Sequence, residues 1–193
     1  MFDKEMKTSF TLIYLLFFHT ATALAGITIH YEGHALSHQA VTEIISASSE
    51  YAKHQGWKVK DASAENGTLE RVINEKNADY EGEITGVVLY PHAKCEPVYL
   101  QFGEDLFMQD FVKTQFAGTD VHILLIKLFD AIKGKFRNLE IVDESEYWDK
   151  RDRDTLERHV RKVNEIIADM KSKDPKAKGP ATLPSGRIVD IMQ

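Results

Sequence analysis

Apolar residues along this chain recur with a period of about two in some stretches and about 3.6 in others. That alternation limits the fold more than any motif does. GITIHYEG (Gly26 to Gly33) sets Ile27, Ile29 and Tyr31 against Thr28, His30 and Glu32, a strand with one buried face. SHQAVTEIISASSEYAKHQGW then places Val41, Ile44, Ile45, Ser48, Tyr51 and Ala52 at helical spacing, with Ser37 as cap and Gly56 as stop. WKVKDAS reads as a second strand, and NGTLERVINEKNADYEG as irregular chain or a short strand. EITGVVLYPH and EPVYLQFGED read as strands joined by the turn PHAKCEP. TDVHILLIKLFDAIKGKF is the clearest helix, capped by Thr119 or Asp120, with Val121, Leu124, Leu125, Leu128, Phe129 and Ile132 on its buried face. LEIVDES returns to a strand.

A last helix opens on the capping box Asp154-Thr-Leu-Glu157. Its stripe of Leu156, Val160, Val163, Ile167 and Met170 lies against the sheet or forms a seam for a partner helix.

The order β-α-β-β-β-α-β-α predicts an α+β fold. The expected architecture is a two-layer sandwich of a mixed, mainly antiparallel sheet with helices on one face. The 193 residues are enough for one ordinary domain. That domain is placed at residues 26–172, after a leader at 1–25 and before a mobile tail at 173–193 rich in Lys, Pro, Gly and Ser. No internal repeat is visible.

The leader reads as a secretory signal. FTLIYLLFF (Phe10 to Phe18) has the length of a signal h-region and is too short to span a bilayer. Ala23-Leu24-Ala25 supplies the small residues that signal peptidase accepts. Met1 and Met6 are alternative starts, the second giving the usual basic n-region. An uncleaved anchor is the competing reading; cleavage would leave no stable membrane span. No Cys follows Ala25, so a lipoprotein anchor is not indicated, and a periplasmic or secreted location is expected. The single Cys95 allows no internal disulfide, so packing must hold the fold. The net charge of −6 argues against a nucleic-acid partner, because phosphate binding needs concentrated Lys and Arg.

Three stretches hold residues suited to chemistry. In PHAKCEP, His92, Cys95 and Glu96 are a candidate metal set, with zinc the expected ion and His122 or a distant acid completing it. Cys95 with His92 or His122 is also a candidate nucleophile and base. The bland alternative is a hairpin turn with Cys95 as a small, partly buried side chain. In VKTQFAGTDVH, Lys113 and Gln115 share a side if extended, and the following helix start adds unpaired N–H groups. With His122, these make a candidate anion site, against the alternative of solvated and loop-closing side chains. In VDESEYWDKRDRD, Glu144, Tyr147 and Trp148 combine charge with flat apolar area, as binding hot spots do, or else Trp148 simply closes the core.

PHAKCEP, VKTQFAG with its His-bearing helix, and DESEYWD together resemble a family of uncharacterised bacterial hypothetical proteins. Those proteins share the motifs PHxKCE, KTQ[FY]A and DExxYWE. The resemblance covers about Ile27 to Met170, implies a shared fold and no reaction, and marks His92, Cys95, Glu96, Lys113, Gln115, His122, Glu144, Tyr147 and Trp148. This chain departs from the pattern at Asp149, where the family has Glu, and in carrying a leader.

No G-x-S-x-G, P-loop, H-E-x-x-H or C-x-x-C occurs. The expectation is therefore an exported bacterial binding protein with an envelope protein as partner, one that inhibits or neutralises it. The alternatives are a metal- or cysteine-dependent hydrolase and a small anion binder.

Overall fold

The computed structural model describes residues 26–174 and 176–192, so the expected leader lies outside the described residues. The chain adopts the α+β class expected, built around one central strand. That strand, β1 (Thr28–Ala35), alternates as the sequence demands, with Ile29 and Tyr31 buried and His30 exposed. It is followed by α1 (His38–His54), whose cap Ser37 accepts a hydrogen bond from the Ala40 N–H. Then come β2 (Lys58–Asp61), β3 (Ala64–Leu69), a small hairpin of β4 (Val72–Ile73) and β5 (Lys76–Asn77), and the long β6 (Tyr80–Tyr90). β7 (Val98–Phe102) and β8 (Phe107–Lys113) lead into α2 (Thr119–Ile132). β9 (Phe136–Asp143), a single turn α3 (Tyr147–Lys150) and α4 (Arg153–Lys173) follow. The chain ends in a hairpin of β10 (Ala181–Thr182) and β11 (Ile188–Val189).

Every ladder among the described residues is antiparallel. One sheet has the order β8-β1-β9, and a second joins β2, β3 and β7 to β6. Their inner faces meet α1 and α2 in one core that includes Ile29, Tyr31, Ile44, Leu89, Leu100, Val112, Leu125 and Phe129. The Tyr31 ring packs at 4.9 Å from Phe129, and its hydroxyl donates to the Tyr99 carbonyl at 3.1 Å, crossing from one sheet to the other. Burial of this kind supplies about 25 cal/mol per Å² of apolar surface, the main driving force here.

Four local expectations are corrected. β8 is a strand the sequence pattern does not show: Asp110, opposite Tyr31 and paired with Arg187, breaks the alternation. Gly118, with φ 93°, precedes α2 and no side chain caps that helix, in place of Thr119 or Asp120. α4 starts two residues before the predicted box, because Asp152 accepts from the Asp154 N–H and the Thr155 hydroxyl. The helix also packs mainly against α2 and α3 where its stripe was expected to lie against the sheet.

The C-terminal segment is likewise not the free tail expected. Ile188 and Asp190 are buried, and residues 185–190 lie along β8 and the turn before β7.

Candidate functional site

The three motif stretches converge where β1 begins and β8 and β9 end. This happens because β1 is antiparallel to both neighbours, with Thr28 opposite Lys113 and Ile29 opposite Asp143. At the centre is His122, 1% exposed, in the first turn of α2. Its Nδ1 lies 2.8 Å from the Thr114 hydroxyl, and its Nε2 3.1 Å from Asp143 Oδ2 and 3.1 Å from the Ser145 hydroxyl. Asp143 also accepts from the backbone N–H groups of Ser145 and Trp148 at 2.8 and 2.9 Å. Burial would raise the Asp143 carboxyl, but hydrogen bonds from His122 and Ser145 and the imidazole's charge outweigh it and hold the group below its ordinary value.

The line Thr114, His122, Asp143 has the order hydroxyl, imidazole, carboxylate found in nucleophile triads. Here it is part of the core. Thr114 is 1% exposed and the Asp143 side chain 0%, so no substrate has a path to the hydroxyl. The Thr114 hydroxyl also lies 3.2 Å from the Ile27 carbonyl, placed to donate to it, which ties the network to the start of β1. The chemistry available is structural: a satisfied polar cluster that fixes three chain ends.

The other marked residues complete this junction. Gln115 is buried, and its Oε1 accepts the Ile27 N–H at 2.9 Å. Glu144 accepts the Thr28 N–H at 2.9 Å and stands 4.0 Å from His30. The Tyr147 ring meets His122 edge-on at 6.2 Å, and Trp148 packs against the core beneath Arg151, 4.7 Å from its ring. Lys113 is not open to a ligand, because its ammonium is 3.0 Å from Asp190, with Gln115 Nε2 3.5 Å from the same oxygen. The anion expected beside Lys113 and Gln115 is therefore a carboxylate of the chain itself.

His92, Cys95 and Glu96 do not form a metal set. The Glu96 carboxylate accepts the Lys113 and Ile188 N–H groups at 2.9 and 2.7 Å and faces Arg187 at 3.5 Å. His92 Nδ1 accepts from the Lys94 N–H at 3.1 Å, and the Cys95 sulfur turns to the Lys113 carbonyl at 3.6 Å. No group of three His, Cys, Asp or Glu side chains suited to a metal ion occurs among the described residues. Burial, reinforced by the Glu96 charge, pushes the Cys95 thiol far above its ordinary value, which disfavours a thiolate nucleophile. His122 lies in its own cluster, so it does not serve Cys95 as a base.

Sequence reasoning missed Thr114, Asp143 and Ser145 as His122's partners, and it missed the outer face of the β8-β1-β9 sheet. That face carries cross-strand rows. Phe111, His30 and Val142 stand side by side, followed by Gln109, Glu32 and Glu140. In the third row Arg71 covers Phe107, while His34 beside it is exposed. Its guanidinium lies 5.2 Å from the Phe107 ring and bonds Asp105 at 2.6 Å and the Phe107 carbonyl at 2.7 Å. Gln109 bonds both backbone groups of Val72 and so holds the β4-β5 hairpin beside this face. Phe111 is 38% exposed, Ile73 43%, and Val72 and Val142 55% each.

Comparison of the chain with protein-family models, curated proteins and solved structures gives no match.

Proposed function

We propose that this chain is an exported binding protein that recognises another protein with the open face of its β8-β1-β9 sheet, in the manner of an inhibitor or neutralising partner. The observation that carries the proposal is the row Phe111, His30, Val142, in which Val142 and His30 stand open and Phe111, with Arg187 stacked on one face of its ring, stays partly exposed. Contiguous exposed apolar side chains with polar neighbours are typical of interaction surfaces. Glu32, Glu140 and Glu144 border the row, so the complementary partner presents apolar side chains beside Lys or Arg. Two copies meeting face to face would oppose these carboxylates. The leader read from the sequence supports export and an envelope partner.

A photoreactive side chain at position 142 tests the binding role in cells. Cross-links are expected to one envelope protein, and they should be lost when His30, which lies outside the contacts of residues 185–190, is changed to Asp in the same chain. Cross-links absent, or spread over many proteins and insensitive to that change, would remove the proposal. The N-terminal sequence of the exported protein tests the leader, and Gly26 is the residue expected.

A further inference from the structure

The contacts that hold residues 185–190 read like recognition of an extended peptide. Two side chains of opposite charge, three residues apart, are each bound by groups of the opposite sign. Arg187 pairs with Asp110, donates to the Phe111 carbonyl at 2.7 Å and stacks on the Phe111 and Tyr99 rings at 4.0 and 5.5 Å. Asp190 receives Lys113 at 3.0 Å, with Gln115 Nε2 3.5 Å away. Between them, both backbone groups of Ile188 are bound: its N–H by Glu96 at 2.7 Å and its carbonyl by Lys113 at 3.2 Å. The Tyr99 hydroxyl donates to the Ser185 carbonyl at 3.1 Å. Main-chain contacts that give affinity, with side-chain sites that give selectivity, are how grooves bind extended segments.

The segment is also held mainly by charge. Ile188 is the one buried apolar side chain among the described residues 176–192. Beside it an open cleft of about 270 Å³ is lined by Lys94, Phe116, Pro180, Thr182 and Ile188, so Ile188 borders solvent-accessible space. A unit with one apolar anchor opens locally more easily than the core does.

We infer that the groove formed by Glu96, Tyr99, Asp110, Phe111, Lys113 and Gln115 is a recognition site for extended segments of the pattern Arg, apolar, any residue, Asp. Residues 187–190 occupy it as a removable ligand in cis. A partner protein bearing that pattern gains the site by displacing the chain's own segment. This site adjoins the proposed binding row and shares Phe111 with it, while His30 and Val142 lie outside it.

The test uses the full chain and a fluorescent synthetic peptide of residues 179–192. Changing Arg187→Ala and Asp190→Ala together frees the groove, and the peptide should bind this variant saturably. It should bind the unaltered chain about tenfold or more weakly, because the tethered segment competes at high effective concentration. Lys113→Asp should abolish binding, and a peptide with Lys in place of Asp190 should restore it. Hydrogen exchange on the unaltered chain gives an independent reading that needs no variant. Amides of 182–190 should exchange through local opening, well before those of β1. Protection equal to that of β1 would overturn the inference, as would a double variant that protects β1 normally yet binds no peptide.

Discussion

His122 shows how one side chain can fix three chain ends. It joins Thr114 after β8, Asp143 at the end of β9 and Ser145 before α3, all out of contact with water. Asp143→Asn removes the charged partner of a buried ring, and such losses cost about 3–5 kcal/mol. Urea unfolding at neutral pH is expected to show a stability loss of that size. The acid dependence follows from the depressed Asp143 carboxyl. Its contribution is fully present above the ordinary value of 3.8 and is lost as pH falls through the lower folded value. The unaltered protein should therefore lose stability below about pH 4 more steeply than Asp143→Asn does. Cys95, 8% exposed and held as a thiol, should resist a thiol reagent in the native protein and react fully in urea. Rapid native labelling would contradict the burial described. His122 was legible as a residue of interest because imidazole is chemically versatile. Its partners were not, since Thr114 and Ser145 are ordinary loop residues and Asp143 lies 21 positions away. Lys113 and Gln115 were legible as anion-facing, but nothing in their spacing announces a carboxylate more than seventy positions later.

At the scale of elements, α1, α2 and β1 could be read directly because their periodicity is set by burial on one face. β8 could not, since its inward Asp110 is neutralised by Arg187 from the C-terminal segment, a tertiary contact with no local signal. Burial raises the Asp110 carboxyl, and Glu96 adds to this, against the pull of Arg187. The start of α4 was misplaced by two residues because two acids compete for the cap and only Asp152 has the extended backbone it requires. Asp152→Ala should lower stability by about 1 kcal/mol in urea unfolding, the usual value of a lost N-cap. Asp154→Ala should cost less, since Asp154 lies inside the helix, where no cap bond is lost. Equal effects would mean that the helix starts where the sequence pattern put it.

For the molecule as a whole, the sequence carried the fold class but not the division into two sheets, which depends on β7 pairing with β6 while β8, next in the chain, pairs with β1. The candidate binding face was illegible for a related reason. His30 and Val142 each look like the polar or exposed half of an alternating strand, and only the register of β1 with both neighbours sets them beside Phe111. That register has a consequence for biosynthesis. β1 emerges from the ribosome first, yet its two partners, β8 and β9, are made last among the main strands. Until Asp143 has left the exit tunnel, the centre of the sheet has no complete ladder, and such non-local pairing is slow. Ribosome-arrested chains ending before Phe136 should be digested readily by protease, and full-length chains should resist. A polypeptide that cannot close its sheet early remains threadable, the state in which a translocation channel accepts its cargo.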